Sequence, residues 1–290
     1  MAWKTVFTNE WACFRFCYDT VKSLKSMWRD PEFGPSSQDK YGYTSMLSNL
    51  SNVPPGFLDE QEVEWLSHSE LARRCDEGPA TFCDDKPSPN DIIQGSIGDC
   101  WLISAISIVA QYNEYMTGVP LKEIVGKQRE LSDLIKGVHP TMFHGFRKYG
   151  VFVMKFYKIG KPYFVIVDEL VPCRQGDSKP QFGRSQRTGV QWASLMEKAY
   201  AKLHHAYSAL ISGDIAQGLS DLVNCLPVKQ QLGTENEGLY EKLLQFQRTK
   251  QLLGCSIPGK DAKSVESPVK LDGQPCGLVY GHAYSITDVL

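Results

Sequence analysis

The chain lacks a long apolar run: none of its 290 residues falls in a stretch of the ~20 apolar residues that a membrane-spanning helix needs. It also lacks an excess of charge of either sign. Lys and Arg number 31 and Asp and Glu 33, a formal charge of −2 at pH 7, which gives no electrostatic case for nucleic acid. Nine cysteines are present, but no C-x-x-C pair. The odd number and the missing pairs argue against a disulfide framework and against a zinc cluster. Cys13 and Cys17 stand four residues apart with no His pair beside them. The N-terminus, Met1 to Phe7, meets Asn9 and Glu10 too early to form a signal-peptide apolar region. These absences point to a cytoplasmic, globular protein, and 42% hydrophobic residues suffice for its core.

What is present organises as follows. Residues 1–28 read as an amphipathic helix, with Phe7, Trp11, Phe14, Val21, Leu24 and Trp28 at roughly helical spacing, ended by Asp30-Pro31-Glu32-Phe33-Gly34-Pro35. A stretch rich in Pro, Ser, Asn and Gly follows to about residue 93, with short ordered pieces near Trp65 and Leu71. Leu102 to Ala110 predicts an apolar helix. Val151–Tyr157 and Tyr163–Val167 predict a hairpin turned by Lys158–Pro162. Gln191–Tyr200 predicts a helix, and Gly213 to Gly218 a loop that could hinge two domains. A helix near Tyr240–Lys250 and strands at Leu252–Ile257 and Leu278–Ile286 complete an α+β pattern, segregated rather than alternating.

The chemistry concentrates in two short segments. In Gln94-Gly95-Ser96-Ile97-Gly98-Asp99-Cys100-Trp101 a glycine-rich turn delivers a cysteine to a helix start, where the dipole stabilises thiolate. Far downstream, Gly281-His282-Ala283-Tyr284-Ser285 offers an imidazole. Thiol acyl-transfer chemistry needs a nucleophile, a base that later donates its proton, and donors for the oxyanion. Cys100 and His282 suit the first two roles. The Gln94 amide, with the Cys100 backbone N–H, suits the third, and Gly95 and Gly98 leave room for a substrate backbone. A buried cysteine before an apolar helix is more often packing than catalysis, as is a histidine in a strand. The joint occurrence of both segments shifts that balance.

The form Q-G-x-x-G-D-C-W-x-x-x-A at Gln94–Ala105, together with Gly281–Ser285, resembles the calpain family of papain-like cysteine proteases. Asp30–Pro35, Val167–Pro172, Glu197–Lys202 and Leu252–Ile257 also resemble calpain core segments and fall in calpain order, so the likeness covers residues 30 to 290. It implies Cys100 as nucleophile, His282 as base, Gln94 as oxyanion donor, and Gly213 and Gly281 along the substrate backbone. It further implies a two-subdomain protease core, a mainly helical subdomain over 35–213 and a β-rich, incomplete one over 214–290, behind the N-terminal helical extension that the spacing gives over 1–34. The implied substrates are proteins with exposed, extended segments, cut in a limited way.

Two departures qualify the resemblance. The family completes its triad with an asparagine in an Asn-Pro-Trp-Gly segment beyond the histidine, and none occurs up to Leu290. An imidazole without that partner loses its fixed tautomer and aim, which implies a fragment, a short isoform or an impaired protease. The family's calcium site uses an aspartate just before the Gln, which Asp91 matches, and a glutamate where this chain has Val190. A valine offers no oxygen to a hard cation, leaving backbone carbonyls and Asp84 or Asp85 as substitutes. No EF-hand pattern is present.

Rival readings are weaker. Gly254–Lys260 matches G-x-x-x-x-G-K and Phe164–Glu169 resembles a Walker B strand, but Asp261 replaces the hydroxyl needed on magnesium and the order is reversed. A calpain-like scaffold that binds proteins without cutting them is the second alternative, set against by the intact Cys100 and His282. His204-His205 reads as a solvated turn, Cys75 and Cys83 as free thiols, and Trp101 and Trp192 as either cleft rim or core.

Overall fold

The computed structural model describes residues 4–35, 62–83, 88–111, 141–233, 237–259, 267–271 and 273–290. Asp84, Asp85, Lys260 and Asp261 lie outside the described residues. The hairpin forms as expected from β4 (Phe152–Lys158) and β5 (Lys161–Val167). Its turn is tighter than the sequence predicts. Ile159 and Gly160 alone make it, at φ +51° and +73°, because a two-residue loop matching the strand twist needs positive φ at both positions. A short β1 (Val6–Phe7) adds to β5, giving the order β1-β5-β4.

The two-residue period of these strands divides the interior into two cores. Phe152, Met154, Phe156, Val165 and Val167 enter the main cluster, while Val153, Phe164 and Ile166 enter a second with Cys13, Cys17, Trp28, Phe143 and Phe146. The second core is covered by α1 (Glu10–Ser23), started by Asn9, whose side chain accepts from the Ala12 N–H at 2.9 Å. The helix is shorter than the span 1–28 expected, since β1 occupies its predicted first turns.

In the main core, α3 (Cys100–Gln111) is buried from Cys100 to Ala110 on every side, as its all-round apolar sequence requires. Before it come β2 (Val63–Ser67), α2 (His68–Arg74) and β3 (Ile92–Ile93); β2 pairs with β6 (Leu170–Arg174) and β3 with β7 (Arg184–Ser185). The helix expected near Gln191 is α4 (Trp192–Leu203). The expected Gly213–Gly218 loop is corrected. Only residues 211–214 are irregular, and α5 (Ile215–Val223) starts where the Asp214 side chain accepts from the Ala216 N–H. Gly218 sits inside that helix, where a Cβ would lie 2.8 Å from the Ala105 Cβ on α3. Its role is close helix contact rather than chain breaking.

Charged side chains on α4 turn inward. Lys198 pairs with Asp168, and Lys202 pairs with Asp30 at 2.5 Å and donates to Thr5 Oγ1 and Ile166 O. Both lysines are fully buried. Burial pushes Asp30 upward and Lys202 downward from their ordinary pKa ranges, and the attraction between them opposes both shifts. Residues 5 to 33 are thereby fastened to α4.

The remaining elements are α6 (Leu239–Arg248), β8 (Gly254–Ile257), β9 (Ser267–Leu271), β10 (Gln274–Tyr280) and β11 (His282–Ser285). The single strand expected over Leu278–Ile286 is two strands in two sheets, β10 paired with β9 and β11 with β8. Gly281, at φ +74°, makes the break.

Candidate active site

Three residues that the sequence singles out line one cavity of about 250 Å³: Gln94, Cys100 and His282. Each arrives on a different element. Cys100 opens α3, whose first turn is closed by the Leu102 and Ile103 N–H groups donating to Asp99 O at 2.8 and 3.1 Å. The thiol's residue is 9% exposed. Gln94 enters from the preceding loop, with its Nε2 donating to Ile97 O at 2.9 Å. That bond fixes the amide near the helix start but spends one of its N–H groups locally.

His282 begins β11, opposite Ile257 of β8, and its ring meets Tyr284 edge-on at 4.9 Å. What holds β11 to α3 is a short row of polar contacts. Ser104 Oγ donates to Ala283 O at 3.0 Å, Ser107 Oγ reaches Ser285 Oγ at 3.4 Å, and Gln111 Nε2 donates to Thr287 O. Ser104, Ser107 and Ser285 also line the cavity. Sequence reasoning missed this role. The signal for it was Ser104 and Ser107 three residues apart in an otherwise apolar helix.

The expected substrate-backbone glycines take different places. Gly213 lies flat on the Trp101 indole, where a Cβ would be 2.2 Å from Cε2. The neighbouring Ser212 N–H donates to Gly98 O at 2.9 Å, so this loop borders the cysteine turn. Gly281 sits beside His282 and donates its N–H to Ile257 O at 2.8 Å. Trp101, with Nε1 on Leu210 O at 2.8 Å, and Trp192 are both core residues, which resolves the rim-or-core alternative.

Asp91, the expected calcium ligand, is engaged locally. Asp91 Oδ2 accepts from the Ser88 N–H at 3.1 Å, capping a short 3₁₀ turn over Pro89–Asp91. Val190 is buried in the main core. Among the described residues no group of three or more His, Cys, Asp or Glu side chains could hold a metal ion. A hard cation needs several converging oxygens, and Asp84 and Asp85, the carboxylates nearest Asp91 in the sequence, lie outside the described residues.

Other expectations resolve similarly. His204 is not in a solvated turn: it lies on Tyr200 at 4.5 Å, and desolvation lowers its pKa to about 4. His205 alone is exposed there, at φ +76°. The nucleotide-binding rival loses its acid, since Asp168 is buried against Lys198. Gly254 lies in a strand packed on Ile108 rather than in a phosphate loop.

An α+β protein that brings a helix-start thiol and a strand-borne imidazole to one cavity has the arrangement that thiol-dependent acyl transfer uses. Comparison with known proteins gives the family. The model of the calpain family of cysteine proteases matches residues 28–290, and the chain belongs to that family. It is 28% identical over 269 residues to the calpain-type cysteine protease DEK1 of Arabidopsis thaliana, covering 90% of this chain and 11% of that one. It is 29% identical over 263 residues to Calpain-8 of Rattus norvegicus, with 91% and 32% covered, and 29% identical over 271 residues to Calpain of Schistosoma mansoni, with 93% and 30% covered. The chain thus spans a third or less of these relatives' length. No described helix is long and apolar enough to cross a membrane.

Proposed function

We propose that this chain carries the catalytic centre of a calpain-type cysteine endopeptidase, with Cys100 as nucleophile, His282 as base and Gln94 as oxyanion donor. The observation that carries the reading is the meeting of these three residues, 188 positions apart at the extremes (282 − 94), in one cavity. In the proposed reaction His282 takes the Cys100 proton and the thiolate attacks the scissile carbonyl. The oxyanion is stabilised by the Cys100 N–H and the second N–H of the Gln94 amide. His282 then protonates the leaving amine, the C–N bond breaks, and an acyl-thioester remains. Water, deprotonated by the same imidazole, hydrolyses it to the acid and free thiol. Gly213, against Trp101, and Gly281, beside His282, are proposed to run along an extended substrate backbone.

The proposed substrates are proteins with exposed, extended segments, and the proposed compartment is the cytoplasm, in keeping with nine free thiols. Calcium control is implied by the family likeness alone. No step is assigned to the ion.

The test is covalent labelling by a peptidyl epoxide, read by mass spectrometry with and without calcium, beside cleavage of a fluorogenic peptide. A single adduct at Cys100, and a loss on the order of 10⁴-fold in kcat/KM for Cys100→Ser and His282→Ala with unchanged melting temperature, is the expected result. Parent-level cleavage by either variant, or adducts scattered over other thiols, would overturn the assignment and favour a non-catalytic, protein-binding scaffold.

A further inference from the structure

One face of α1 turns to solvent and carries aromatic rings. Trp11 and Tyr18 are 71% and 45% exposed. Phe14 stands between them, its ring 6.1 Å from Trp11 and 6.4 Å from Tyr18. It stays half-buried because it also meets Phe143 and Phe146, at 6.1 and 5.3 Å. Cations interleave with the exposed rings. Trp11, Arg15, Tyr18 and Lys22 follow at the spacing i, i+4, i+7, i+11, which makes one stripe about 16 Å long. The Lys22 ammonium lies 4.1 Å from the Tyr18 ring centre. Lys25 is exposed just past the helix. The Trp28 N–H donates to Tyr149 O at 2.8 Å, which brings the exposed Lys148 and Tyr149 to the border of the same region.

These cations are little neutralised. Residues 4–29 hold five basic and two acidic side chains, a formal +3 in a chain of −2. Asp19 approaches Arg15 only at 3.9 Å with both side chains largely in water, a pair that contributes little. Arg29 is engaged by Glu169 at 3.3 Å. Among the described residues no acid pairs with Lys22, Lys25 or Lys148. The stripe also lies outside the family match, which begins at residue 28. The second core is served by the opposite face of α1, through Cys13 and Cys17. Both ends of the segment are held, since Lys202 donates to Thr5 Oγ1 ahead of the helix and to Asp30 beyond it.

The pattern discriminates between kinds of partner. The centre of a protein interface is depleted in lysine, whereas here a lysine lies on the ring itself, and a convex helix face would need a matching groove. A bilayer surface asks for neither. Trp and Tyr settle at the boundary between headgroups and acyl chains, while Lys and Arg meet the phosphates and carboxylates of anionic headgroups. We propose that α1 docks this protein on an anionic lipid surface, with Trp11 and Tyr18 entering the boundary and Arg15, Lys22 and Lys25 on the headgroups. The helix lies on the bilayer and does not span it. This inference is independent of the reading of Cys100, because it concerns where the protein sits and not its chemistry.

The experiment sediments the full chain with vesicles of phosphatidylcholine alone, or with about one-quarter phosphatidylserine, at about 0.1 M and 0.5 M salt. The parent partitions onto the phosphatidylserine vesicles about tenfold or more above phosphatidylcholine, and high salt removes the preference. Lys22→Gln with Lys25→Gln lowers that partition about 25-fold, close to fivefold for each charge. Trp11→Ala lowers it severalfold, and Lys270→Gln, an exposed lysine on β9, leaves it unchanged. Melting temperatures of these variants stay at the parent's, because the altered side chains are exposed. Brominated lipid quenches tryptophan fluorescence in the parent, and the quenching is lost in Trp11→Phe. A parent that stays in the supernatant with both vesicles overturns the bilayer as partner and leaves an acidic, grooved protein as the occupant to seek. An equal fall for Lys270→Gln, partition indifferent to Trp11→Ala, or quenching retained in Trp11→Phe overturns α1 as the docking face.

Discussion

Cys100 and His282 face one cavity from walls of very different build. The cysteine wall belongs to the main core, where α3 is buried throughout and α4 carries two wholly buried lysines, each paired with a buried aspartate. In the histidine wall, β8, β9, β10 and β11 contribute one buried hydrophobic side chain, Ala283, and α6 contributes none. Fold stability is therefore concentrated on the cysteine side. The histidine side is placed by strand pairing to β8 and by the Ser104, Ser107 and Gln111 contacts. Such regions open locally at lower free energy than a packed core. In the proposed site a firmly held thiol would thus face an adjustable imidazole.

The largest way to break that contrast is to attack the cysteine wall's buried charges. Lys202→Met leaves Asp30 uncompensated in the interior, and losing one member of a buried pair costs about 3–5 kcal/mol. Urea denaturation should show the midpoint falling accordingly, with Thr5 and Asp30 released from α4. Next comes a pH effect from the same wall. His68 is fully buried, its Nδ1 donates to Glu169 O at 3.2 Å, and desolvation lowers its pKa to about 4. The folded state refuses a proton that the unfolded chain accepts below pH 6.5. This contribution is therefore present above pH 6.5 and is lost as pH falls toward 4, by about 3 kcal/mol. His68→Asn keeps a donor toward Glu169 and should give a shallower fall in urea midpoint between pH 6.5 and 4.5.

Legibility in the sequence follows the same division. The cysteine turn, the hairpin and the extended character of the segment around His282 could be read because each rests on local signals: glycine punctuation, alternation and an apolar run. The buried ion pairs could not. Lys198 and Lys202 look like one solvated helix stripe, and their partners Asp168 and Asp30 lie 30 and 172 residues away. Gly218 misled in the opposite sense. A residue that breaks chains locally was used to let α5 approach α3, a demand that only the tertiary contact with Ala105 reveals. The strand over residues 278–286 was mistaken at Gly281 because apolar alternation continues through a residue whose positive φ ends the pairing.

A smaller effect tests how the two walls are joined. Ser104→Ala removes the hydroxyl that donates to Ala283 O and should cost about 1 kcal/mol in stability. Because that bond fixes the strand bearing His282, peptide cleavage should fall more than stability does, with the loss in kcat rather than KM. Equal, parallel losses would mean that Ser104 serves packing alone.

The smallest expected effect sharpens the comparison most directly, because one truncation can be made on both walls. Leu271 in β9 is 66% exposed, whereas Leu222 in α5 is 0% exposed. Removing a leucine side chain from a packed interior costs about 2–5 kcal/mol, the transfer energy plus the cavity left behind. On an exposed strand face there is little apolar area to return to water and no cavity to form, so the change stays within about 0.5 kcal/mol. Urea midpoints of Leu271→Ala and Leu222→Ala, measured side by side, should differ by that contrast while the slopes agree. A Leu271→Ala loss approaching that of Leu222→Ala would mean that the histidine wall is packed against something its own side chains do not supply, and the division of labour argued here would fall.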